Sequence, residues 1–169
     1  FTLEERFGRL SGLRLAFVGD GNNVCHSLIT LAAKLGLAFT AATPAGFEPK
    51  PWIVEEAQAF ARVSGASILL THDPLAAVEG ADAVYTDVWA GMGQEYAAHL
   101  RAQVFTPFQV TERLMSAAGP EAVFMHCLPA HRGQEVTDAV IDSPRSIVYD
   151  QAENRLHVQK ALMFLLMQN

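Results

Sequence analysis

The sequence predicts an α/β domain with a doubly wound, mainly parallel sheet and helices on both faces, and three observations carry that expectation. Short apolar runs alternate with helical patterns along all 169 residues, the spacing that yields parallel strands joined by crossover helices. Ala122, Val123, Phe124 and Met125 are apolar at every position, as a strand buried on both faces must be, and such strands belong mostly to parallel sheets. Three of the runs stop abruptly at polar or reactive side chains: Gly19-Asp20-Gly21-Asn22-Asn23, Asp87, and His126-Cys127. Ligands of open α/β sheets bind just outside the carboxyl ends of the strands, and right-handed crossovers place these three ends along one edge. The expected architecture is Rossmann-like.

The elements follow in order. Thr2 to Phe7 reads as the end of a helix or a connector, with Thr2 and Glu5 spaced as a weak capping box, broken by Gly8 and Gly12. Leu13 to Val18 is the first strand, and the glycine-rich turn after it opens a helix from Val24 to Leu35. Free N–H groups and the positive dipole end make that helix start suited to an anion. Leu37 to Ala42 is a second strand, Pro44 to Pro51 a loop, and Trp52 to Val63 a helix with Ile53, Ala57, Phe60 and Ala61 on one stripe. A third strand covers Ser67 to Leu70, a small helix runs through Val78, and a fourth strand covers Ala83 to Thr86. Helices are expected at Tyr96–Gln103 and Thr111–Ala117, leading into the run at Ala122, which reads as a central strand. A helix from Val136 to Ile141, a sixth strand from Ser146 to Tyr149 and a long helix from Ala152 to Met167 complete the chain.

Composition narrows the classes. Half the residues are apolar and 18% are charged, which excludes a disordered chain and suits a covered sheet. A net charge of −6 argues against a nucleic-acid surface. The longest late apolar run, Ala161 to Met167, is too short to span a bilayer. Two cysteines, Cys25 and Cys127, form neither a disulfide framework nor a zinc pattern, so a reducing cytoplasm fits and no metal is expected. The chain opens at Phe1 without a Met, and residues 1–169 read as one domain.

Three sites of chemistry stand out. Asn22 and Asn23 sit at a helix start, where one caps the helix and the other is free to hold a carboxylate. The turn departs from a dinucleotide fingerprint, because Val24 replaces the third glycine and Ala41-Ala42-Thr43 brings no acid for a ribose hydroxyl; no cofactor is expected. Asp87 is suited to an amino group or to a solvated turn, and Cys127 to a reactive thiol or a small buried hydrophobe. Neighbouring helix starts favour a thiolate at Cys127. Gly91 and Gly93 around Met92 suggest a mobile loop. Arg155, expected in the first turn of the last helix, faces an anion or pairs with Glu153 or Asp150, while His131 and Arg132 face ligand or, for Arg132 especially, solvent.

Gly19-Asp20-Gly21-Asn22-Asn23, Thr86-Asp87-Val88-Trp89 with Met92-Gly93, His126-Cys127-Leu128-Pro129 and Ala152-Glu153-Asn154-Arg155 occur in an order that resembles the transcarbamylases. The likeness is to the ornithine-binding second domain of the ornithine branch, since the aspartate branch carries a His-Pro-Leu-Pro type sequence in place of His-Cys-Leu-Pro. The resemblance implies transfer of a carbamoyl group from carbamoyl phosphate to the δ-amino group of L-ornithine, giving L-citrulline and phosphate in arginine biosynthesis, with no metal or organic cofactor. It implies that Asn23 binds the ornithine carboxylate, that Asp87 with Met92 fixes the α-amino end, and that Cys127 lies by the δ-amino group, where Cys127 and Asp87 take its proton. The backbone of Cys127 and Leu128 would meet the carbamoyl NH2, and Arg155 the carbamoyl phosphate.

The same resemblance implies partners that this chain does not itself contain: an amino-terminal domain with a Ser-Thr-Arg-Thr type phosphate loop, and a homotrimer in the full-length enzyme. One position departs from the family pattern, since Gly91 stands where Ser is expected before Met92-Gly93. That change removes a hydroxyl from the α-amino subsite and makes a putrescine carbamoyltransferase the runner-up. A non-catalytic amino-acid-binding module is the alternative from a different class.

Overall fold

The computed structural model describes residues 1–90 and 98–168. Its elements are α1 (Thr2–Phe7), β1 (Arg14–Val18), α2 (Asn23–Leu35), β2 (Ala38–Ala42), α3 (Pro51–Ser64), β3 (Ser67–Thr71), α4 (Pro74–Val78), β4 (Ala83–Thr86), α5 (Ala98–Phe105), α6 (Glu112–Ala117), β5 (Val123–His126), α7 (Asp138–Ile141) and α8 (Val148–Leu166). The five strands form one sheet in the order β3-β2-β1-β4-β5, and every pairing is parallel. Neighbours of β1 lead away in opposite directions, which puts the topological switch point between β1 and β4. The doubly wound expectation therefore holds.

Strand alternation divides the core in two. Leu15 and Phe17 of β1, Tyr85 of β4 and Met125 of β5 face one side with α2 and the buried stripe Ile53, Ala57 and Ala61 of α3. Ala16, Val18, Val84 and Phe124 face the other, with α4, α6 and α7. Asn22 caps α2, its side-chain oxygen accepting from the N–H groups of Val24 and Cys25. Gly36 ends that helix at a φ of 76°, a conformation that favours glycine. No helix among the described residues is long and apolar enough to cross a membrane.

Several expectations are corrected. The run at Ala122 yields an edge strand and not a central one, because an all-apolar run reports burial of both faces and says nothing of neighbours in the sheet. Its outer edge is covered by a bend, with Phe124 N–H donating to Arg145 O at 2.8 Å and Ile147 N–H to Phe124 O at 3.0 Å. Arg145 anchors the bend by donating to the carbonyls of Ala122, Met115 and Gly119. The sixth strand is absent: Ser146 makes one isolated bridge to Phe124, and buried Val148 already begins α8. The early start of α8 moves Arg155 from the first turn to the interior of the helix. Thr2 and Glu5 form no capping box; both accept hydrogen bonds from Asn154, which ties α1 to α8.

The turn after β1 is pressed tightly against the loop that precedes α3. Gly21 N–H donates to Phe47 O at 2.9 Å, and a Cβ on Gly21 would lie 2.3 Å from Pro49 N and 2.5 Å from Phe47 O. These are backbone atoms that cannot swing aside. Gly21→Ala is accordingly expected to destabilise the full-length protein by about 1–3 kcal/mol, read as a lowered denaturant midpoint. A midpoint equal to that of the unsubstituted protein would show that the 47–49 segment yields freely.

Candidate active site

The ends of β1, β4 and β5 meet in one crevice at the switch point. Thr86 closes the base, its hydroxyl donating to Val18 O at 2.6 Å and so linking β4 to β1. One residue on, Asp87 is buried at 6% exposure and receives three donors among the described residues. Asn22 Nδ2 reaches its Oδ2 at 2.8 Å, while Val88 N–H and Cys127 Sγ reach its Oδ1 at 2.8 and 3.0 Å. A carboxylate has about four lone-pair sites, so the donors of the described residues take roughly three of them. Parallel register places the two reactive groups together: Tyr85 pairs with Met125, and Asp87 and Cys127 are the next residues of the two strands on that same face.

Cys127 is half-buried, and burial, followed by the hydrogen bond and charge of Asp87, pushes its thiol up to about 12. It is a hydrogen-bond donor to Asp87. Burial first, and then the Asp87 carboxylate at 3.0 Å, oppose the thiolate that neighbouring helix starts would favour. Below this pair, Gln151 of α8 donates to the Tyr85 hydroxyl at 2.9 Å and accepts from His126 N–H at 3.2 Å.

The chain leaves β5 under tight control. His126 and Glu135 are both fully buried and lie 3.2 Å apart. Leu128 N–H donates to His126 Nδ1 at 2.8 Å, so that nitrogen presents its lone pair and the ring proton sits on Nε2, facing Glu135. Glu135 also accepts from His131 N–H at 2.6 Å. This clamp holds Leu128 at a φ of 55° before a cis Leu128-Pro129 bond, a backbone conformation that a branched side chain rarely adopts. Arg132 is exposed and paired with Asp138 and Asp142, and His131 is exposed.

A second cross-link on the far side of the crevice was not legible from the sequence. Arg101 of α5 pairs with Asp20 and donates to Trp89 O, with its guanidinium 4.9 Å from the Phe47 ring and 5.0 Å from that of Phe105. It ties the turn after β1 to the one after β4. Burial raises the Asp20 carboxyl above its usual range although Arg101 opposes the rise.

Of the residues singled out from the sequence, Asp87, Cys127 and Leu128 lie together. Asn22, which the sequence left interchangeable with Asn23, does the capping and touches Asp87; Asn23 is exposed on the first turn of α2. Arg155 is exposed on α8, one turn past Gln151, and the expected partner Glu153 pairs with His157 instead. Gly91 and Met92 lie outside the described residues. Among the described residues no group of three or more His, Cys, Asp or Glu side chains is arranged to hold a metal ion.

A parallel sheet that gathers a carboxamide, a carboxylate and a thiol at the ends of β1, β4 and β5 defines a doubly wound α/β domain with a polar crevice at its switch point. The chain belongs to the aspartate/ornithine carbamoyltransferase family, whose Asp/Orn binding domain matches residues 11–166. It is 57% identical over 166 residues to an ornithine carbamoyltransferase of Thermococcus kodakarensis, covering 98% of this chain and 53% of that protein. The structure of an ornithine carbamoyltransferase from Pyrococcus furiosus superposes with a TM-score of 0.92 at 54% identity, over 96% of this chain and 52% of the other. An N-acetyl-L-ornithine transcarbamylase complexed with PALAO superposes at 0.83 with 36% identity, over 95% of this chain and 52% of the other. The chain thus spans about half the length of the curated relatives it matches.

Proposed function

We propose that this chain is the acceptor half of an ornithine carbamoyltransferase, which transfers the carbamoyl group of carbamoyl phosphate to the δ-amino nitrogen of L-ornithine and releases L-citrulline and phosphate. The observation that carries the reading is Asp87, a carboxylate buried at the end of β4 between the side chains of Asn22 and Cys127. An alkylammonium is the partner that such a carboxylate suits by charge and by hydrogen bonding. A protonated amine is no nucleophile, so the δ-ammonium must lose a proton before its nitrogen attacks the carbamoyl carbon. Asp87 holds the ammonium and accepts that proton; Cys127, a thiol at rest, fixes the amine beside it.

Asn23, exposed at a helix start, meets the α-carboxylate, and Met92 with Gly91 borders the α-amino end. The backbone at Cys127 and Leu128 accepts from the carbamoyl NH2. Because Gln151 touches the end of β5, Arg155 projects one turn, about 6 Å, beyond it, toward a phosphate held by a separate amino-terminal domain. The apolar far end of α8, where Leu162, Phe164 and Met167 are 54%, 63% and 80% exposed, is the surface we assign to contact with that domain, and a cytoplasmic homotrimer is the assembly.

The test is citrulline formation by the full-length protein from ornithine and carbamoyl phosphate, with putrescine as rival acceptor. Ornithine is expected to give the higher kcat/KM. Preference for putrescine would trace to Gly91, and turnover of neither amine would leave a binding module and overturn the reading.

A further inference from the structure

We infer that Glu135 is a positioning residue for the carbamoyl group: through the His126 ring it aims the Cys127–Leu128 peptide and so turns the Cys127 carbonyl toward the carbamoyl NH2. The inference deepens the proposed ornithine carbamoyltransferase reading and rests on it. Leu128 N–H donates to His126 Nδ1 at 2.8 Å, back into the fully buried pair of His126 and Glu135. The Cys127–Leu128 peptide is trans, and in a planar trans peptide the C=O points opposite to the N–H. Cys127 O is therefore directed away from the buried ring, to the partly exposed side on which residues 127 and 128 lie. Leu128 has a φ of 55°, an uncommon conformation that the bond to the ring helps to hold.

The ring can accept that N–H in one tautomer only. Nδ1 must present its lone pair, so the ring proton belongs on Nε2, where Glu135 Oε1 receives it at 3.2 Å. The same oxygen accepts from His131 N–H at 2.6 Å, so the chain is gripped on both sides of Pro129. An apolar side chain at position 135 would strand a buried N–H on Nε2, a cost that the ring escapes by moving its proton to Nδ1. There it opposes Leu128 N–H, donor against donor, and the peptide must turn. Packing alone does not account for Glu135. Its Oε2 is buried with no hydrogen-bond partner among the described residues, a loss that an apolar side chain of similar volume would avoid. Gln151 holds the same residue from the other side, accepting from His126 N–H at 3.2 Å, and leaves the tautomer of the ring untouched.

Glu135→Leu in the full-length protein removes the acceptor, whereas Glu135→Gln keeps a carbonyl oxygen able to receive both Nε2–H and His131 N–H. With Glu135→Leu, kcat/KM for carbamoyl phosphate is expected to fall about five- to ten-fold, the loss of one hydrogen bond. KM for ornithine, bound through Asp87, should stay within about two-fold of the parent value. Glu135→Gln should recover most of the lost kcat/KM. A role in folding alone would lower the melting temperature and leave the kinetics of both substrates unmoved. Where Glu135→Leu does not fold, Glu135→Met, whose flexible side chain fills the same space, takes its place. Unmoved carbamoyl phosphate kinetics in whichever apolar variant folds, an equal rise in KM for both substrates, no recovery with Glu135→Gln, or unfolding of both apolar variants would overturn the inference. Citrulline formation by the parent separates the two claims: an active parent beside an unmoved variant sinks the inference alone, and an inactive parent removes the reaction on which it rests.

Discussion

Asp87→Asn in the full-length protein is expected to lower kcat/KM for ornithine by about 10²–10⁴-fold, the range lost with a positioned acid or base. The substitution keeps the shape and removes the charge. Oδ1 can still accept from Val88 N–H and Cys127, but the new amide nitrogen faces Asn22 Nδ2, donor against donor, in a buried site. That mismatch costs about 1–3 kcal/mol unless Asn22 turns and gives up its cap of α2. A double variant with Asn22→Asp restores donor to acceptor and should recover melting temperature without recovering turnover, because the carboxylate then lies on the wrong side of the crevice. Steady-state kinetics beside a melting curve decide the matter. If Asp87→Asn alone retained kcat/KM within about three-fold, the ammonium would have to be held by another group, and Asp87 would not be the acceptor-site carboxylate.

The isolated 169-residue chain is expected to form no measurable citrulline when given both substrates. Holding two reactants in a near-attack geometry is worth an effective molarity of about 10⁵–10⁸ M, and the described crevice supplies groups for one of them. Restoring the full-length protein should restore turnover under the same assay, while ornithine protection of Cys127 from alkylation should be visible in both forms. Turnover by the fragment at a rate near that of the whole protein would place the carbamoyl phosphate site within these residues and refute the two-domain reading.

The fold was legible from the sequence wherever a pattern is local. Periodicity located the five strands and most helices to within a residue or two, and three polar strand ends foretold the crevice between β1, β4 and β5. What stayed hidden was set by non-local partners. The all-apolar run at Val123 looks central because its edge is covered by backbone around Arg145, which no alternation records. Asn22 and Asn23 are equivalent as letters, and only the direction of the cap at the end of β1 decides which one touches Asp87. Arg101, Glu135 and Gln151 read as ordinary polar residues of loops and helices; their roles depend on partners 81, 9 and 66 residues away in the chain. Cys127 illustrates the electrostatic version of the same limit. Helix starts are visible in sequence, but the carboxylate that governs the thiol arrives from another strand.

Insertion of β1 between β2 and β4 also governs how the molecule comes into being. The β1–β4 pairing, with Leu15 against Ala83, closes a loop containing two complete crossovers, and such long-range closure slows folding. Asn22 and Asp87 are 65 residues apart and Cys127 a further 40 beyond Asp87, so the crevice exists only once both closures are complete. No partly folded species, however much helix it contains, can possess this site. Appearance of a protected Cys127 during refolding is thus a clock for the final long-range step, later than the gain of helical circular dichroism.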